Sequence, residues 1–308
     1  MNILIFGDIH LKKSELKECE LVLEEIGMLC KQYKVDKVID LADTFDKINP
    51  ASECLDSFST FINRLNKPII ILAADSHEST TESESVLNHF EILHPNVSVI
   101  KKYMDEVYMF CGHFVLNESK LNYGAKFGKK DFKQYKYVFL GHQHSHQVIK
   151  PNICHLGSCR YVDFAEVDDK AKVVCLIENY KANNEKCHFL ALKSPYPMKD
   201  VSYAQKVAPE GSETKFQAQN EAYMDRLDPK TKVRAVFKDF KSYSQIINNL
   251  DKYKEKFILF KIKQDFLVND NVIATKQKTE NLKESLLSYL EENKTDNDIK
   301  QILLKEIR

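Results

Sequence analysis

The chain has no tryptophan, no surplus of charge of either sign and no Cys-x-x-Cys pair. Lys plus Arg and Asp plus Glu both number 45, so the formal net charge is zero. That balance excludes a polyelectrolyte clamp that grips nucleic acid by overall charge, and any contact with DNA has to be local or shared with a partner. A site rich in metal ions is the exception, because it brings its own positive charge to the phosphate. The missing Cys-x-x-Cys spacing leaves Cys19, Cys30, Cys54, Cys111, Cys154, Cys159, Cys175 and Cys187 scattered, several of them inside apolar runs. They read as buried free thiols of a reducing compartment. No apolar run approaches membrane-spanning length, so no membrane association is expected. The opening residues MNILIFGD lack a basic leader and a signal-peptide core, and cytoplasm is the expected location. The lack of tryptophan excludes nothing by itself: 43% hydrophobic and 29% charged residues over 308 positions is ordinary globular usage, enough for one large domain or a domain plus a smaller one.

The first half alternates short β-rich runs with longer amphipathic ones. Residues 2–8 (NILIFGD) read as a buried strand, 15–34 as a helix with Leu16, Leu21, Leu23, Ile26, Met28 and Leu29 on a broad apolar face, and 36–43 as the next strand. A helix over 55–65 and a third strand over 67–75 follow. This alternation predicts an α/β layer on a largely parallel sheet. Strands then crowd together over 106–113, 135–142, 146–158, 171–179 and 186–193 without intervening helices, which predicts a second, antiparallel part packed on the first. The expected architecture is an α/β two-sheet β-sandwich flanked by helices, spanning residues 1–195. A polar stretch with little periodicity makes 196–230 the candidate linker. Residues 231–270 read as a small β-α-β lobe. The last part, 271–308, reads as two short amphipathic helices with Leu282, Leu286, Leu287 and Leu290 on one stripe, which either dock on their own domain or bind a partner.

Five motifs fall at the carboxyl ends of predicted strands, each carrying Asp or His: GDIH (Asp8, His10), ADTFD (Asp43, Asp46), DSHE (His77, Glu78), CGH (His113) and GHQH (His142, His144). Any one of them alone is more often a hydrogen-bonded histidine or a helix cap than a ligand set. Together, in this order and each after an apolar run, they point to loops that meet in one crevice of an open α/β sheet. Imidazoles mixed with carboxylates suit manganese, iron or zinc better than calcium or magnesium. Seven such groups exceed the needs of one tetrahedral ion, whereas two ions about 3.5–4 Å apart sharing a carboxylate use them naturally and suit in-line phosphoryl displacement. His89, His94, His155 and His188 match nothing and read as structural.

The series GDIH, ADTFD, DSHE, GH and GHQH resembles the calcineurin-like metallophosphoesterases over roughly residues 1–165. Within them, HLGSCRYVDFAE (155–166), MFCGHFVLNESKLNYG and YVFLGHQHSHQ are similar to SbcD-type nucleases and the nuclease subunit of T-even phage recombination. The resemblance implies the metallophosphoesterase fold with 231–270 as a capping lobe. It implies one ion held by Asp8, His10, Asp43 and His144, and a second held by Asp43 as bridge, His113 and His142, with manganese the cation most associated with this branch. His77 would then face the scissile phosphate as the catalytic residue. Implied partners are DNA, an SbcC-like coiled-coil ATPase and a second copy in a homodimer.

Two departures from the family pattern stand out. Asp75 and Ser76 replace Gly-Asn before His77, and Ser76 is a poor substitute for an Asn ligand, so the second ion is expected to be held more loosely. Ala42 replaces Gly beside Asp43, which matters if the backbone there needs a positive φ. The reading that follows is a DNA nuclease of a repair or recombination complex. A phosphodiesterase for nucleotides or other small esters, favoured by the neutral charge, and a catalytically weakened scaffold are the alternatives.

Overall fold

The computed structural model describes residues 1–73, 85–203, 223–238 and 251–264. The chain divides into two compact units, Met1–Lys199 with Lys230–Lys232, and Asp200–Pro229 with Val233–Arg308.

The first unit is built on β1 (Ile3–Phe6), whose four residues are all buried. Such a run has an apolar neighbour on both faces, which is why it shows no alternation. Parallel to it lie β2 (Lys37–Asp40), β3 (Ile69–Ala73) and β4 (Val97–Lys101). Helix α1 (Leu16–Gln32) connects β1 to β2, and α2 (Ser52–Leu65) connects β2 to β3. Cys19, Val22, Leu23, Ile26 and Cys30 recur at helical spacing on α1 and are buried, as are Cys54, Phe58, Phe61, Ile62 and Leu65 on α2. Helix α2 ends where Asn66 turns left-handed at φ 46°. Both helices pack on Leu4, Phe6, Val38, Ile69 and Ile71 of the sheet.

The alternate residues, Ile3, Ile5, Ile39, Leu41 and Leu72, point to the other face and meet Met104, Met109, Cys111, Phe139, Cys154 and Leu156. Those belong to a second sheet of β5 (Tyr103–Asp105), β6 (Met109–His113), β7 (Tyr137–Gly141), β8 (Gln147–Lys150) and β9 (Ile153–His155), in the order β5-β6-β7-β9-β8. Two sheets thus close on one core, with helices outside the first. The outer face of the second sheet is covered instead by the loop between β6 and β7, through Phe110, Leu116, Phe132, Val138, Leu140 and Ile153.

Several sequence expectations change. The second sheet is mixed rather than antiparallel, because β6, β7 and β9 run parallel. The run 146–158 is two strands, broken at Pro151 and Asn152, where proline has no N–H to give a ladder. Strands β10 (Val173–Glu178) and β11 (Lys186–Ala191) join the first sheet, antiparallel beside β1. Helix α3 (Asn88–Leu93), β4 and β5 were not expected from the sequence. All eight cysteines are free thiols, and Cys187 is exposed where burial was expected, because it lies on the edge strand β11.

Strands β12 (Met198–Tyr203), β13 (Lys232–Phe237) and β14 (Leu259–Gln264) form a three-stranded sheet in that order, mostly from residues of the second unit. Val201, Met224, Val233, Ala235 and Phe237 make its core with Tyr253 and Phe257. Strand β12 falls inside the stretch read as linker. The terminal helices expected over 271–308 lie outside the described residues. Among the described residues no helix is long and apolar enough to cross a membrane.

Candidate metal centre

Asp8 and His10 follow β1, Asp43 follows β2, His113 ends β6 and His142 follows β7. The loops after β1 and β2 run side by side, with Asp8 N–H donating to Ala42 O, His10 N–H to Asp43 O and Leu11 N–H to Thr44 O at 2.8–3.0 Å. To fit, the backbone turns left-handed at Asp8 (φ 50°), His10 (50°), Ala42 (80°), Asp43 (50°) and His142 (76°). Non-glycine residues pay about 1–2 kcal/mol each in that region, and such strain clusters where side chains are held for a task. The positive φ at Ala42 is the condition under which its methyl matters.

Asp8 and Asp43 are 0% and 2% exposed, and His10 is 3% exposed. Two groups of ligand atoms gather, each within 4.8 Å: Asp8, His10 and His144, and Asp8, Asp43 and His113. Asp43 Oδ2 lies 3.7 Å from His10 Nε2 and 3.2 Å from His113 Nε2, between a histidine of each group. His10 Nε2 and His144 Nε2 face each other at 3.0 Å. His113 Nδ1–H donates to Leu41 O at 2.8 Å, which turns Nε2 toward Asp43. The His142 ring stands edge-on to that of His113, centroids 5.2 Å apart, outside both groups, while its backbone N–H donates to Asp8 Oδ1.

These residues fit divalent cations. Asp8 Oδ2 is buried with no hydrogen-bond partner, in a cluster where two carboxylates sit together. A Cβ on Gly141 would come within 2.7 Å of His113 Nδ1 and 2.9 Å of Asp8 Oδ2, so only glycine leaves the ligands their space. Burial raises the Asp8 carboxyl above its usual range; the nearby histidines oppose this and Asp43 adds to it. Burial alone would depress His113, but Asp8 and Asp43 outweigh it and lift the imidazole to about 10. A buried assembly of carboxylates that now draws on imidazolium for charge is one that metal ions can take over.

Ser76 and His77, with Asp75 and Glu78, lie outside the described residues. The structure also adds residues that sequence reasoning did not single out. His144 Nδ1 faces Glu166 Oε1 at 3.2 Å, and Glu166 Oε2 accepts from Ser158 Oγ at 2.8 Å and from Lys172 Nζ. Burial would lift the Glu166 carboxyl, but His144 and Lys172 hold it down to about 2. Glu166 closes the HLGSCRYVDFAE segment, which was the available signal. Glu166→Gln is expected to weaken manganese binding about 10–100-fold by freeing the His144 ring. Calorimetric titration checks this, and wild-type affinity in the variant would remove Glu166 from the site.

Arg160, wholly buried, donates through Nε to Ile9 O and through Nη2 to His10 O, both at 2.7 Å. It shares the buried carboxylates of Glu15 and Glu18 with Lys232. Burial would raise Glu15, but Arg160 and Lys232 bring it down to about 2. His155, the histidine read as structural, receives the Ser119 hydroxyl on Nε2 at 2.7 Å and donates from Nδ1 to Gly141 O at 3.1 Å.

A pH dependence follows from these groups. Burial lowers His155 from 6.5 to about 4. Below pH 6.5 the unfolded chain gains a proton there that the folded chain resists, which removes about 3 kcal/mol by pH 4. Glu15 and Glu166, lowered from 4.5 to about 2, give stability that is present above pH 4.5 and lost as pH falls toward 2. Relative to His155→Gln, the metal-free wild-type chain is therefore expected to lose thermal stability from pH 6.5 to 4, and a difference in melting temperature that stays flat over that range would contradict this.

No family model and no curated protein sequence matches the chain. Among solved structures, the nuclease MPE of Pseudomonas putida is similar at 12% identity and a TM-score of 0.33, over 49% of this chain and 66% of that one. A likeness this distant leaves the family open, so the chemistry of the site rests on its own geometry: aspartates and histidines from the ends of four strands, gathered as two candidate cation groups around Asp8 and Asp43.

Proposed function

We propose that the chain is a metal-dependent nuclease that hydrolyses phosphodiester bonds with two divalent cations, of the calcineurin-like metallophosphoesterase type and its SbcD-like branch. The observation that carries the reading is Asp43 placed between His10 and His113, beside a buried Asp8 that belongs to both ligand groups. When bound, a pair of cations supplies an activated water and Lewis-acid stabilisation of the phosphate's developing charge. Asp8, His10, Asp43 and His144 would hold one and Asp43, His113 and His142 the other. Glu166 fixes the ring of His144, Leu41 O fixes that of His113, and Arg160 holds the loop that presents Asp8 and His10. His77 is proposed, from the sequence motif, to protonate the leaving oxygen or stabilise the transition state. Manganese as the cation and an SbcC-like ATPase as the partner rest on the sequence resemblance alone.

The test is cleavage of end-labelled single-stranded and double-stranded DNA by the purified chain with manganese, beside His77→Ala. Manganese-dependent cleavage that His77→Ala abolishes supports the reading. Hydrolysis of bis-p-nitrophenyl phosphate without any DNA cleavage would favour a small-ester phosphodiesterase instead, and activity on neither would overturn both.

A further inference from the structure

We propose that the loop over residues 117–133, between β6 and β7, is the surface on which single-stranded nucleic acid lies as it approaches the metal centre; the identity of the ligand rests on the nuclease reading. In a chain of zero net charge, residues 114–136 hold six lysines against Glu118 and Asp131. Lys129 faces Glu118 at 3.9 Å and Lys136 pairs with Glu185 at 2.6 Å. Lys120, Lys126, Lys130 and Lys133 are exposed, and no ion pair holds them among the described residues. Among these lysines Tyr123 is 99% exposed and Leu121 66% exposed. Lysines that can reach phosphates, interleaved with a ring that can stack on a base, are the two components of a single-strand surface. A duplex keeps its base faces covered, so the ring has a partner only where bases are unstacked.

The loop is built to hold this surface in place. Phe132 and Leu116 anchor it in the core beneath, and the Ser119 hydroxyl, which accepts from Leu116 N–H, is bound to His155. Its tip is tied to the metal centre itself. Leu121 N–H donates to Gln143 Oε1 at 3.3 Å, and Gln143 sits between His142 and His144. Lys120 N–H donates to Gln147 Oε1 at 2.9 Å, and Gln143 Nε2 donates to the same oxygen at 2.8 Å. A strand lying across Lys120 and Tyr123 is therefore next to the ligand loop.

The experiment measures binding of a fluorescein-labelled oligothymidylate to the full chain in chelator, without metal, across a salt series. Replacing Lys120, Lys126, Lys130 and Lys133 together by Ala is expected to flatten the slope of log affinity against log salt by about 3, near 0.7 for each phosphate contact. Tyr123→Ala is expected to bind the single strand roughly tenfold more weakly, while Tyr123→Phe keeps wild-type affinity. Hydrolysis of bis-p-nitrophenyl phosphate with manganese is expected to be unchanged in every variant. A wild-type chain that does not bind the oligonucleotide, or lysine variants with an unchanged salt slope, would overturn the proposal. So would Tyr123→Ala weakening a blunt duplex as much as the single strand. Failure of the site reading shows separately, as absence of manganese-dependent hydrolysis of the small ester in the wild type.

Discussion

Asp43→Asn is expected to lower manganese-dependent phosphodiester hydrolysis at least about 1000-fold, the several kcal/mol that paired cations contribute to a phosphoryl transition state. The substitution keeps shape and removes charge, and it does so at the carboxylate 3.7 Å from His10 and 3.2 Å from His113. Asp43 belongs to the group with Asp8 and His113 and lies beside His10 of the other, so the loss is expected to reach both proposed cations. Stability offers a second readout that needs no substrate. Metal at 100 times its dissociation constant raises folding stability by about 2.7 kcal/mol for each site. The wild-type chain should melt at markedly higher temperature with manganese than without, and Asp43→Asn should lose most of that rise. Circular dichroism suits the measurement, since the chain has no tryptophan to report by fluorescence. A variant that keeps the full manganese-induced rise would show that Asp43 is not shared between ions.

Arg160→Met is expected to cost about 3–5 kcal/mol of stability, the penalty for leaving buried carboxylates short of a partner. Glu15 and Glu18 are 6% and 0% exposed and would retain Lys232 as their remaining fully buried cation. The same change strips the donors from Ile9 O and His10 O, so the loop that carries Asp8 and His10 loses its brace. Arg160→Lys separates the two effects. An ammonium restores the charge but cannot reach two carbonyls and two carboxylates with the planar fork of a guanidinium. This variant should recover much of the denaturant midpoint while still binding manganese more weakly than wild type. Wild-type metal affinity in Arg160→Lys would reduce Arg160 to a purely structural role.

The residues gathered at the candidate metal centre were legible in the sequence because each closes an apolar run and sits in a two- to five-residue motif. Asp8, His10, Asp43, His113 and His144 meet because parallel strands bring their carboxyl ends to one edge. Ala42 was legible for a similar local reason, and its φ of 80° confirms that the position wants a left-handed backbone. Arg160 was not legible. Its partners Ile9 and His10 lie some 150 residues away, and no local pattern tells a buried arginine from a solvated one. Glu166 shares that difficulty, since its role is set by His144 and Lys172 rather than by its neighbours in the chain. Strand direction in the second sheet was missed because it depends on how the connections cross, and the β6–β7 loop covers that sheet where a helix would have announced itself by periodicity.

The most direct test of the account is anomalous diffraction at the manganese edge from crystals of the chain grown with manganese. Two peaks about 3.5–4 Å apart are predicted, both touching Asp43, with Asp8, His10 and His144 around one and His113 beside the other. A single peak, or none within reach of Asp8 and Asp43, would contradict it.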